Sequence, residues 1–199
     1  MITKLELKRQ ISHILLGVIL IGLLTYDMLN SWILFIASFI VLGIAYSTKI
    51  GYKVWPFYYF LEHLGRDSEK KYFPAKGLFF YLLGSGLSLL FFDKKIALAS
   101  IAILALGDSI SRLVGPYGYL KHPYNSKKFI EGVIAGFVVA SIGAMFYVQW
   151  YLAVPAAFFA MFLEGLDIEV NNFKVDDNLT IPLVSGGTML AIQAIIAYF

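Results

Sequence analysis

Three polar segments hold most of the side chains in this sequence that could do chemistry: GDSISR (107–112), NSKKFIEG (125–132) and LEGLDIEVNNFKVDDN (163–178). Between them they carry Asp108, Lys127, Lys128, Glu131, Glu164, Asp167, Asp176, Asp177 and Asn178. Asp108 closes a strongly apolar run, IALASIAILALGDSISRLVG. A carboxylate inside or at the edge of a membrane is costly, which marks it as functional unless a neighbour satisfies it; Ser109, Ser111 and Arg112 could each do that in a purely packing role. Magnesium takes one or two carboxylates together with phosphate oxygens, and Asp108 has that character.

In the second segment Lys127 and Lys128 stand just before an apolar run. Free N–H groups at a helix start attract phosphate, and adjacent lysines strengthen that field. Read alone, the segment favours the plainer role of an interface anchor. Glu131 suits the first turn of a helix, a metal, or a balancing partner for either lysine. The third segment holds Glu164 at the end of one apolar run and Asp176, Asp177 and Asn178 at the start of the next. One such residue suffices for a helix cap; three in a row, after Asp167 and Glu169, point to a bound divalent cation and offer a general base within reach of a hydroxyl. Pro182 would loosen the first turn of the helix that follows. His13, within the first apolar run, reads as a packing residue more readily than as part of a site. No Walker loop, kinase-type glycine loop, histidine-rich metal motif or nucleophile elbow occurs.

The elements that must position these groups are membrane helices. The chain has 199 residues, 59% hydrophobic and 15% charged, with a mean hydropathy of +0.75, whereas soluble domains carry about 25% charged residues. The expected fold is all-α and polytopic: one integral-membrane domain over 1–199 with seven spans near 11–27, 31–47, 74–92, 95–113, 130–149, 150–165 and 179–198. The basic start followed by an apolar run reads as a permanent first span rather than a cleaved signal. The absence of cysteine excludes disulfides, thiolate nucleophiles and cysteine metal sites. Gly17, Gly22, Gly84, Gly86, Gly132, Gly136 and Gly143 fall within spans, where small residues let helices approach closely. All basic residues except Lys94 and Lys95 fall on one side of this arrangement. The positive-inside rule puts that side, with the N-terminus and all three polar segments, in the cytoplasm. Residues 48–73 read either as an amphipathic interfacial helix or as a basic loop. The net charge of +3 gives no argument for nucleic acid. A homo-oligomer is compatible with this composition.

Several stretches together resemble the membrane-bound CTP-dependent lipid kinases, among them dolichol kinase, polyprenol and phytol kinases and the fungal CTP-dependent diacylglycerol kinase. The anchors are KRQISHILLG (8–17), PAKGLFFYLLG (74–84), GDSISRLVGPYG (107–118), SKKFIEG (126–132) and EGLD followed by DDNLTIPLVSG (164–186). The resemblance implies phosphoryl transfer from CTP to a lipid alcohol, of polyprenol or dolichol type, with Mg2+ or Mn2+ as cofactor. It implies catalytic roles for Asp108, Lys128, Glu131 and Asp177. Nucleotide binding would fall to Ser126, Lys127, Lys128, Asn178 and Lys76, and metal binding to Asp108, Glu131, Asp177 and Glu164. Family members often carry Ser or Thr directly after the lysine, where this chain has Phe129, so Ser126 would have to supply any hydroxyl contact. The phosphatidate cytidylyltransferases look related, but their Pro-Gly-His-Gly-Gly run is missing here, which favours a kinase over a CDP-lipid synthase. A small transporter or scaffold that binds an anion without chemistry is the third reading. The implied location is an integral membrane protein of the cell membrane in a prokaryote or the endoplasmic reticulum in a eukaryote, with its site facing the cytoplasm.

Overall fold

The computed structural model describes residues 2–52, 54–55, 57–59, 65, 73–166, 169–170 and 173–198; for Lys127, 169–170 and 173–174 it describes the main chain only. Three of the apolar runs begin at a residue whose side chain caps the helix. Helix α1 (Lys4–Thr25) starts at Thr3, whose hydroxyl accepts the Glu6 N–H at 3.1 Å. Helix α2 (Ser31–Lys49) starts at Asn30, which accepts from the N–H of Ile33. Helix α3 (Lys76–Phe91) follows Ala75, a non-glycine residue at φ 57°. Asp93 caps helix α4 (Lys94–Ile103) by accepting the N–H groups of Lys95 and Ile96. This rod continues through a π-helical turn (Leu104–Asp108), helix α5 (Ser109–Val114) and a 3-10 turn (Gly115–Tyr117). Then come α6 (Ile130–Ala144), α7 (Trp150–Leu166) and α8 (Asp177–Tyr198).

The described residues thus contain seven apolar rods at the expected places. Four are long and apolar enough to cross a bilayer: α1, α2, the rod over Lys94–Tyr117, and α8. Helices α3, α6 and α7 have 16, 15 and 17 residues. At about 1.5 Å per residue they fall short of a ~30 Å hydrocarbon core. Helix α6 stops at Ala144, five residues before the expected end of its span. Large apolar side chains such as Ile11, Leu15, Val18, Ile36 and Phe39 stay exposed on α1 and α2, as an integral membrane protein requires.

The rod over Lys94–Tyr117 is the axis of the bundle. Within its most apolar window 78% of residues are buried, against 22% for α1 and for α2 and 28% for α8. Ile96, Ala97, Ala99, Ile101 and Ile103 are wholly buried, as are Ala140, Ala144, Ala153, Ala156, Ala157 and Ala160 on α6 and α7. A core built largely of alanine lets backbones approach closely where lipid gives no hydrophobic drive. Gly17, Gly84, Gly86, Gly132, Gly136 and Gly143 all lie at such approaches, whereas Gly22 faces open space.

Two short antiparallel hairpins qualify the all-α expectation. Strands β1 (Lys121–His122) and β2 (Asn125–Phe129) pair with Lys121 opposite Phe129 and His122 opposite Asn125. Strands β3 (Glu169–Val170) and β4 (Phe173–Lys174) pair likewise. The segment that leads into the fifth span is therefore an extended strand over Asn125–Phe129, and the helix starts at Ile130, where the span was expected. The cause is pairing: the Ile130 N–H donates back to the Leu120 carbonyl at 2.9 Å. Of the 48–73 stretch, 53, 56, 60–64 and 66–72 lie outside the described residues, as does Asp167.

Candidate phosphate and metal site

Three helices deliver one carboxylate each to the same place. Asp108 ends the π-helical turn, Glu164 lies near the end of α7, and Asp177 opens α8. One oxygen from each lies within 4.8 Å of the others. Asp108 is 2% exposed and Glu164 1%, too buried for solvent to hold their charge, so the protein must. Arg112 and Lys128 do this. The Arg112 guanidinium donates from Nε to Asp108 Oδ1 at 2.8 Å and from Nη2 to Asp177 Oδ2 at 3.1 Å. Lys128, from β2, donates to Glu164 Oε1 at 2.5 Å and to the main-chain carbonyl of the same residue. Ser111 Oγ stands 3.4 Å from Glu164 Oε2.

A second layer surrounds this core. His13 Nε2, from α1, is 3.8 Å from Asp108 Oδ2, and its ring meets the edge of Tyr81 at 4.7 Å between centroids. Lys76, at the start of α3, is 3.5 Å from Asp176. The Asn178 amide donates to the Gly77 carbonyl at 3.1 Å. Asp176, just outside α8, is held above the usual carboxylate range by burial, with Lys76 pulling the other way. His122, on β1, is buried against α7, where a Cβ on Gly165 would stand 3.0 Å from its Nε2.

Of the residues expected at a site, Asp108, Lys128, Glu164 and Asp177 meet directly, with Asn178 and Lys76 beside them. Ser126 lies exposed on β2, and the side chain of Lys127 lies outside the described residues. Glu131 is not gathered with the three carboxylates. Its carboxylate accepts the N–H groups of Tyr119 at 2.7 Å and Leu120 at 3.0 Å, so it closes the turn that leads into the hairpin. Arg112 was named from the sequence only as a possible packing partner of Asp108, beside Ser109 and Ser111; the structure pairs it with both Asp108 and Asp177. Its one signal was the four-residue spacing from Asp108, which puts both on one helix face. Nothing in the sequence marked His122.

Three carboxylates from separate elements form a hard-oxygen donor set that fits Mg2+ or Mn2+. Two cationic side chains among them fit phosphate oxygens, for which guanidinium and ammonium are common partners. The arrangement can hold a metal–phosphate group at the end of an apolar bundle.

Comparison with known proteins bears on which such group it is. The chain is 29% identical to CTP-dependent diacylglycerol kinase 1 of Saccharomyces cerevisiae over 96% of its own length and 74% of that protein. It is 31% identical to the protein of the same name from Eremothecium gossypii, over 63% of this chain and 47% of the relative. With a protein named probable phytol kinase 1, chloroplastic, from Glycine max, it shares 32% identity over 55% of this chain and 41% of the relative. It therefore spans less than half the length of the last two. No family model and no solved structure matches the chain.

Proposed function

We propose that this chain, which belongs to the CTP-dependent lipid kinases, transfers the γ-phosphoryl group of CTP to the hydroxyl of a membrane lipid alcohol. The observation that carries this reading is the convergence of Asp108, Glu164 and Asp177 with Arg112 and Lys128 at one place in an apolar bundle. Asp108, Glu164 and Asp177 would hold a magnesium or manganese ion, which when bound supplies Lewis-acid neutralisation of phosphate charge.

The remaining chemistry belongs to the chain itself. When the nucleotide enters, Arg112 and Lys128 exchange carboxylate partners for phosphate oxygens and so stabilise charge that grows in the transition state. Lys76, Ser126 and Asn178 line the approach of the nucleotide, and the sequence resemblance gives Lys127 a nucleotide-binding role as well. Asp108 or Asp177 accepts the proton of the lipid hydroxyl. The lipid oxygen bonds to the γ-phosphorus, the bond from that phosphorus to the β,γ-bridging oxygen breaks, and CDP leaves. Glu131 contributes by fixing the turn before the hairpin that presents Lys128. The acceptor in this reading is a polyprenol- or dolichol-type alcohol, and the site faces the cytoplasm.

The test is incubation of the detergent-purified protein with γ-labelled CTP or ATP and a panel of prenols, phytol and diacylglycerol. Labelled lipid phosphate together with CDP supports the kinase. Pyrophosphate with a CDP-lipid would instead identify a cytidylyltransferase. Asp108→Asn should lower turnover by about a hundredfold or more, the loss of roughly 3 kcal/mol of transition-state stabilisation. Near-normal rates in that variant would defeat the assignment.

A further inference from the structure

Asp108 has one oxygen held and the other facing a histidine. Arg112 donates to Oδ1 at 2.8 Å, while His13 Nε2 stands 3.8 Å from Oδ2. Among the described residues, these two side chains are the ones that bring a basic nitrogen within 4.0 Å of that carboxylate. A separation of 3.8 Å is too wide for a hydrogen bond, and Nε2 is buried with no hydrogen-bond partner among the described residues. Buried polar atoms are nearly always bonded, so an orphan beside a reacting group needs an explanation.

The packing around the ring fixes where it sits. Its face meets Tyr81 edge to face, 4.7 Å between centroids at 73°. Tyr81 is 1% exposed, and its hydroxyl lies so close to α1 that a Cβ on Gly17 would overlap it at 2.5 Å. Gly17 is one turn beyond His13, so a single face of α1 makes room for Tyr81 and presents the imidazole.

Arg112 cannot serve Asp108 throughout the reaction. In the kinase reading it leaves the carboxylates for phosphate oxygens, and at 2% exposure Asp108 has no water to replace it. Resting on that reading, we infer that His13 is the second partner of Asp108: as Arg112 turns to phosphate, the gap closes and the Nε2–H donates to Oδ2. His13 is therefore a positioning residue, which acts through Asp108 without touching the reacting atoms. Carboxylates at metal sites are oriented by such hydrogen bonds, whose removal commonly costs about ten- to a hundredfold in metal affinity or activity.

Three substitutions separate this role from packing. Glutamine brings an amide N–H to about the place of Nε2, the shorter asparagine does not reach it, and leucine fills the space against Tyr81 with no polar atom. In detergent-purified protein, His13→Leu and His13→Asn should lower kcat with CTP about tenfold or more, with KM for CTP changed less than about twofold. His13→Gln should stay within about threefold of the parent. A packing role gives the opposite order, with leucine tolerated best. Full turnover in His13→Leu, or an equal loss in His13→Gln, would overturn the inference. A second arm needs neither metal nor turnover. With Arg112 in place, His13→Leu should shift the apparent melting temperature by less than about 1 °C. In an Arg112→Gln background, where Asp108 already depends on His13, the same substitution should lower it by about 3 °C or more. Equal shifts in the two backgrounds would overturn the inference. A parent protein that transfers no phosphate from CTP, yet shows this coupling, would sink the kinase reading and leave the pairing of His13 with Asp108 standing.

Discussion

Lys128 and Glu164 are joined twice: the ammonium bonds both the carboxylate and the main-chain carbonyl of the same residue. The first bond balances a buried charge. The second satisfies a carbonyl in the last turn of α7, where helical acceptors run out. The β1–β2 hairpin is thereby pinned to the end of α7.

Breaking this pair from one side strands a buried carboxylate. Lys128→Met should destabilise the protein by about 3–5 kcal/mol in denaturant titrations in detergent. The double variant Lys128→Met with Glu164→Gln should recover much of that loss while turnover stays abolished. Recovery of activity along with stability would mean that the pair is only structural.

Arg112 reaches Asp108 and Asp177 with two different nitrogens, a span that a point-like ammonium cannot reproduce. Arg112→Lys should fold, as judged by monodisperse elution. It should lose about a hundredfold in CTP-dependent turnover, equivalent to roughly 2.7 kcal/mol. A loss below about threefold would remove Arg112 from the phosphate-binding role.

Metal dependence separates the acidic residues. Chelation should stop turnover, and added Mg2+ or Mn2+ should restore it. Asp108→Asn should need more metal for half-maximal rate, whereas Glu131→Gln should leave the metal requirement unchanged. An equal shift in Glu131→Gln would return that residue to the ligand set.

Proline at 182 has no N–H to give the Asn178 carbonyl four residues back, and that carbonyl sits against α3 so closely that a Cβ on Gly84 would overlap it. Gly84→Ala should therefore push α3 from α8 and cost about 1–3 kcal/mol. The apparent melting temperature should fall. An unchanged value would show that the contact can relax.

Asp176 titrates above its ordinary range because burial penalises its charge. A carboxylate with a raised folded pKa gives its full stabilisation below the unfolded value of about 3.9, and loses it as pH rises through the folded value. Asp176→Asn, which cannot ionise, should flatten the stability profile over that acidic window and match or exceed the parent at pH 7. A steeper profile would show that the Lys76 pair outweighs burial.

How much of this could be read in advance depends on the kind of signal. Helix positions were legible because apolar runs are local; the caps Thr3, Asn30 and Asp93 were not read, and the first helix starts at Lys4 rather than near 11 because Thr3 caps it. The carboxylates Asp108, Glu164 and Asp177 stood out because charge beside such runs is rare. The role of Glu131 was not legible: its partners, the N–H groups of Tyr119 and Leu120, become free only where the chain turns into the hairpin. The hairpin was hidden because Asn125–Phe129 reads as a polar lead-in to the span at 130 until Lys121 and His122 pair with it. Only half of Arg112's role was legible, because a four-residue spacing shows the partner on its own helix, Asp108, and conceals Asp177, sixty-five residues away.

The π-helical turn over Leu104–Asp108 amounts to one surplus residue inserted into a helix. Each residue of an α-helix advances about 100° around the axis. Excising a single residue from this turn would therefore restore an unbroken α-helix and swing the azimuth of everything on one side of the cut by that angle. Asp108 and Arg112 would rotate away together, their mutual bond intact and their meeting with Asp177 lost. The close seat of Ser111 and Gly115 against Gly132 would be lost with it.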